Sequence, residues 1–75
     1  MTETKITDNQ SIIRKANQIA AFFEAYPHER AVNGVAEHIN KFWSPPMRQQ
    51  FHDYITQYSG EGLHDLVLAA QDQVK

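Results

Sequence analysis

A chain of 75 residues makes one domain, of a size that buries about 60–65% of the surface its unfolded form exposes and gains from reinforcement by a metal or a partner. It has no cysteine, which excludes disulfides and thiolate metal sites and fits a reducing compartment. Seven Lys and Arg against nine Asp and Glu give a formal net charge of −2 with histidines neutral, without the basic face a nucleic-acid binder shows. No run is apolar enough for a transmembrane helix, and the polar, acidic start MTETKITDNQ has no signal-peptide core. The expected location is the cytoplasm.

Residues 1–7 read as a flexible polar tail and residues 8–75 as a single helical domain. Asp8 suits a helix N-cap, and from there Ile12, Ala16, Ile19 and Phe23 recur at spacings of four, three and four. This predicts a first helix over 9–26, stopped by Pro27. A second is predicted over 29–43, with Glu29 at the positive end of its dipole and an apolar stripe of Val32, Val35, Ala36, Ile39, Phe42 and Trp43. Ser44-Pro45-Pro46 then stops the chain and restarts it. Serine caps helices, and proline is tolerated in a first turn, where its missing N–H has no helical partner anyway. The third helix, 45–58, carries Met47, Phe51, Tyr54, Ile55 and Tyr58. Ser59-Gly60-Glu61-Gly62 is a turn by composition. A fourth helix over 63–73 places Leu63, Leu66, Val67, Ala70 and Val74 on one face. No strand pattern of useful length occurs. The fold class is therefore all-α, a small bundle of four short helices with tight turns, packed around Ile19, Phe23, Val35, Ile39, Phe42, Phe51, Tyr54, Leu66 and Val67.

The residues offer little for catalysis or metal binding. None of His28, His38, His52 and His64 lies four residues from another, so no helix face carries a metal-binding His pair. Glu61 and His64 have a Glu-x-x-His spacing, but such sites need further inward carboxylates, and Gly62 sits where the helix begins. Ser11, Ser44 and Ser59 fall at helix starts or turns, where capping explains them. A helix-turn-helix reading would make the third helix the reader, with Arg48, Gln49, Gln50, His52 and Gln57 turned outward. The charge for phosphate contacts is lacking. No catalytic, cofactor-binding or metal residue is expected.

Outward faces carry more. At about 100° per residue, Arg14, Gln18, Ala21 and Ala25 cluster opposite the stripe of the first helix, and Ala31, Gly34, His38 and Lys41 opposite that of the second. Glycine in mid-helix costs about 1 kcal/mol against alanine, so something comes close at Gly34: either a neighbouring helix of the same chain or a partner. Trp43 is either a core anchor at the proline corner or, with Met47, part of a docking surface. The candidate partner-binding residues are Arg14, Gln18, Gly34, His38, Trp43, Pro45, Met47 and Arg48. Arg48 lies off its apolar stripe and is expected to be dispensable for folding.

Several residues in order carry a resemblance: Asn17-Gln18-Ile19-Ala20, Phe22-Phe23, Pro27, His38-Ile39, Phe42-Trp43 with Pro45, Met47 and Arg48, then Gly60, Gly62 and Leu63. Together they resemble the delta subunit of soluble NAD-dependent formate dehydrogenase, over about Ile12 to Ala70. Where the family pattern runs Pro-Arg-Met-Arg, this chain has Pro45-Pro46-Met47-Arg48, so one of two arginines is absent, and Ser44 stands where an acidic or threonine cap is common. The resemblance implies an accessory subunit with no cofactor of its own. Its parent enzyme oxidises formate to carbon dioxide and reduces NAD, and the alpha subunit holds molybdenum or tungsten on a pterin. The partner implied is that cofactor-bearing alpha subunit, and the role is cofactor insertion or stabilisation of the loaded complex. A generic helical adaptor and a small DNA-binding regulator are the alternatives, and self-pairing of the isolated chain stays open.

Overall fold

The computed structural model describes residues 8–75; the expected tail, 1–7, lies outside the described residues. Four α-helices follow in order: α1 Asn9–Phe23, α2 His28–Phe42, α3 Pro45–Tyr58 and α4 Asp65–Ala70, then a single 3-10 turn, Gln71–Gln73. No strand occurs among the described residues.

Each start has a chemical cause. Asp8 caps α1 by accepting the Ser11 N–H at 2.8 Å. That bond holds the Asp8 carboxyl below the usual carboxylate range, helped by the Ser11 hydroxyl and, least, by the Arg14 charge, against a small opposing effect of desolvation. A lowered native pKa stabilises the fold above the unfolded value, about 3.9, and the effect fades as pH falls through the native value. An Asp8→Asn variant keeps a capping oxygen but does not titrate. The thermal midpoints of the two proteins should therefore differ at neutral pH and converge in acid below pH ~4, and parallel curves would show that the cap is not formed. Ser44 caps α3 through the Met47 N–H, with Pro45 and Pro46 in the first turn.

α3 has its expected bounds, α2 starts and ends one residue early, and α4 gives way to the 3-10 turn after Ala70; two further boundaries differ from expectation. α1 ends at Phe23, not 26, because the chain tightens into a turn closed by Tyr26 N–H to Phe23 C=O at 3.0 Å and must become extended at Pro27. α4 begins at Asp65, because Leu63 and His64 bring the chain in from the turn before it. In that turn Ser59, Gly60 and Gly62 all have positive φ. A Cβ on Gly60 would stand 2.4 Å from a methyl of Leu68, so both conformation and space require glycine there.

α1 packs on α2, α3 and α4, and α2 on α4 and the C-terminal turn. The core joins Ile12, Ala16, Val35, Ile39, Trp43, Phe51, Tyr54, Leu66, Val67 and Ala70, with Ile19 and Phe23 half-buried against it. Phe51 is fully buried, and Trp43 meets it edge-on at 6.0 Å. Phe42 was expected in this core and is not: it is 66% exposed. Trp43, next to it, leaves the helix in an extended conformation and takes the inward position. Ala31 was expected outside and is buried, in a region lined by Glu24, Tyr26, His28, His64, Asp65 and Leu66.

Two asparagines lock the loops. Asn17 donates to Gly62 C=O at 2.9 Å and accepts from His64 N–H at 2.8 Å, pinning the α3–α4 turn to α1. Asn40 donates to Gln73 C=O at 2.9 Å and accepts from Lys75 N–H at 2.8 Å, pinning the C-terminus to α2.

Candidate functional site

The candidate partner-binding residues do not form one surface. Trp43 is 7% exposed and serves as the core anchor of the α2–α3 corner, so its indole offers little to a partner. Arg48 bends back and donates through Nη1 to Trp43 C=O at 2.7 Å and to Asn40 C=O at 3.4 Å. These carbonyls belong to the end of α2, where no further turn supplies donors. Its Nε is buried and meets no acceptor among the described residues. Arg48 is thus built into the corner, contrary to the expectation that folding does not need it. Pro45 is exposed and Met47 half-buried against the core. Arg14 and Gln18 lie exposed on α1.

Gly34 has an intramolecular explanation. A Cβ there would lie 2.5 Å from Cε1 of Phe23 and under 3 Å from two more atoms of that ring. The glycine admits the Phe23 ring at the α1–α2 crossing, and the approach anticipated there is made by the chain itself.

Of the candidate residues, Gly34 lines a hollow with Phe23, Tyr26 and Arg30, and His38 lines a second, more apolar one. Ile19, Phe22, Phe23 and His38 line a hollow of about 260 Å³ between α1 and α2. The His38 ring lies 4.7 Å from that of Phe42, tilted by 42°, and the Phe22 ring meets Phe23 edge-on at 5.0 Å. Tyr26 continues the cluster, 5.6 Å from Phe23, with the Arg30 guanidinium 5.7 Å over its own ring. Phe22 and Phe42 are 68% and 66% exposed, and Tyr26 is 41% exposed. Isolated apolar residues on a surface mean nothing, but contiguous ones mark interaction sites. Apart from His38, this face was missed in the sequence. The available signal was the adjacent pair Phe22-Phe23: neighbours on a helix point about 100° apart, and with Ile12, Ala16 and Ala20 defining the buried side of α1 two large adjacent rings do not both point inward.

The other chemistry considered is used internally. His64 accepts the Leu66 N–H at Nδ1, which places the proton of the neutral ring on Nε2, and Nε2 donates to Glu24 at 2.6 Å. Both nitrogens are occupied, and the Tyr54 hydroxyl donates to Glu61 C=O. Among the described residues no three His, Asp or Glu side chains converge as a metal site. On α3, where a DNA reader would need free side chains, Gln49 bonds Asp53, Gln50 bonds Asn9, His52 bonds Val74 C=O and Arg48 bonds the end of α2. No helix among the described residues is long and apolar enough to cross a membrane.

Fold and surface define a small all-helical domain, several of whose polar side chains bond its own backbone, with the rings of Phe22, Tyr26 and Phe42 exposed on α1, α2 and the turn between them. The chain belongs to the family described as "NADH-dependant formate dehydrogenase delta subunit FdsD", which matches residues 11–71. The matched span runs from the first turn of α1 into the C-terminal 3-10 turn. No curated protein and no solved structure matches.

Proposed function

We propose that this chain is a non-catalytic accessory subunit of a molybdenum-dependent, NAD-linked formate dehydrogenase in the cytoplasm. It docks on the cofactor-bearing alpha subunit, and assists insertion of the pterin cofactor or stabilises the loaded complex. The observation that carries this reading is the family match over residues 11–71, which takes in all four helices apart from the first two residues of α1. Two further features favour it. The chain has no cysteine to hold a cluster or metal of its own, and it exposes two phenylalanines on one face. Of the expected docking residues, Arg14, Gln18, His38, Pro45 and Met47 remain accessible for this role.

The test is a strain lacking this gene. Formate dehydrogenase purified from it should contain less molybdenum per alpha subunit and show lower formate-dependent NAD reduction per milligram. Activity per molybdenum atom should be unchanged, because the chemistry belongs to the other subunits. A lower yield of enzyme with full molybdenum content would favour stabilisation over insertion. Equal yield, loading and activity would overturn the accessory role.

A further inference from the structure

We propose that the hollow between Ile19, Phe22, Phe23 and His38 is the socket through which the chain grips its enzyme. Its occupant is an apolar side chain on an acid-flanked ridge of another formate dehydrogenase subunit. The inference rests on the accessory-subunit reading above and adds where and by what chemistry the contact is made.

The socket has the form of an interface centre. It is lined almost wholly by apolar atoms, holds about 260 Å³ and lies between two packed helices, so its walls are preformed. Gly34 lets the Phe23 ring settle into the crossing and form the floor. Phe22 stands at one edge, and Phe42 packs in a tilted contact beside His38, which lines the hollow from α2. Both rings lie mostly in water, which a partner's apolar side chain would displace. Aromatic anchors beside a small pocket are the usual site of concentrated binding energy.

Charge selects the occupant. Lys15 precedes Ile19 by four residues and Phe22 by seven, and so lies along the same edge of α1. Lys41 follows His38 by three on α2. Both are exposed, and neither forms an ion pair among the described residues. At the far end Arg30 lies over Tyr26, while the carboxylates Glu29 and Glu37 line the neighbouring hollow beyond Phe23. A second copy docked by a two-fold axis through the socket would set the lysine end against either its own counterpart, which opposes like charges and costs affinity, or the other end, where Arg30 stands among Glu29 and Glu37 and offsets part of their attraction. An apolar knob flanked by carboxylates meets neither penalty.

The test uses the intact enzyme and a tagged chain. The variants are Phe22→Ser with Phe42→Ser, which remove exposed rings, and Lys15→Glu with Lys41→Glu. Circular dichroism should match wild type for both pairs, as neither removes a core residue, and the glutamate pair should melt a few degrees lower, because Lys41 lies in the last turn of α2 at the negative end of its dipole. Wild-type chain should capture formate dehydrogenase, identified by formate-dependent NAD reduction and subunit masses. The serine pair should weaken capture by about tenfold or more, and the glutamate pair should weaken it most at low salt. If wild type captures the enzyme and the serine pair does so equally well, the socket is overturned and the accessory reading stands. If wild type captures nothing, the accessory reading fails and takes the socket with it. If sedimentation shows a wild-type dimer that the serine pair abolishes while capture is unchanged, the occupant is a second copy and the proposal is wrong.

Discussion

Replacing Phe51 with alanine should abolish most of the stability of this domain. Phe51 is the largest fully buried side chain, and it receives the edge of the Trp43 ring at 6.0 Å. Truncating a buried phenylalanine costs about 3–5 kcal/mol, from lost transfer energy and the cavity left behind. A domain of this length has on the order of 4–11 kcal/mol in total. The thermal midpoint should fall by about 15–30 °C, since each kcal/mol shifts a small domain by roughly 4–8 °C. The sole tryptophan gives an independent probe, because Trp43 is buried and its emission should move to the red as the core opens. Fluorescence and far-ultraviolet circular dichroism should report one transition. A midpoint within a few degrees of wild type would show that α3 does not close the core through Phe51.

The centre of that core was legible because periodicity and punctuation agreed. Val35, Ile39, Phe51, Tyr54, Leu66 and Val67 were expected inside and are buried. Asp8 and Ser44 were expected as caps and serve as caps. What escaped has two physical causes. The first is the adjacent aromatic pair. Phe22-Phe23 and Phe42-Trp43 each hold two rings about 100° apart on the helix wheel, and periodicity alone does not say which turns in. In the second pair the chain leaves the helix at Trp43 and rotates that ring inward, leaving Phe42 outside. The second cause is long-range side-chain bonding. Asn17 and Asn40 are ordinary polar helix residues in sequence, yet each uses both ends of its amide on backbone 33 to 47 residues away.

The same causes explain why the candidate site was only partly legible. Outward position on a helix wheel selected Gly34, His38, Arg14 and Gln18. It could not show that the glycine is filled by Phe23 or that His38 is partnered by Phe42. Phe42, which periodicity placed in the core, lies on the exposed face instead. Two rings left outside a chain of 75 residues are a large apolar surface for its size, and solubility gives no reason to keep them. Association with other formate dehydrogenase subunits, proposed above from the family match, would supply one.

Changing Arg48 to glutamate should cost stability before it costs binding. Sequence position suggested a free surface cation, but the guanidinium closes the α2–α3 corner. It donates at 2.7 Å to Trp43 C=O and reaches Asn40 C=O at 3.4 Å, carbonyls at the negative end of the α2 dipole. Hydrogen bonds from a charged donor contribute about 1.5–3 kcal/mol. A carboxylate in the same place reverses the dipole interaction, adding about 0.3–1 kcal/mol. The thermal midpoint should therefore drop by on the order of 10 °C or more. Arg48→Lys keeps the charge but not the planar guanidinium whose Nη1 meets both carbonyls, and should fall between. This ordering decides how a binding defect at the corner is read. A co-purification assay with Arg48→Glu alone would confuse a loosened corner with a lost contact, because the corner carries Trp43 and through it Phe51. If docking used the Arg48 charge directly, Arg48→Lys would bind almost normally despite its lower midpoint. If the corner matters only as architecture, binding would track the midpoint through all three proteins. A glutamate variant that melts with wild type would show that the guanidinium does not hold the end of α2.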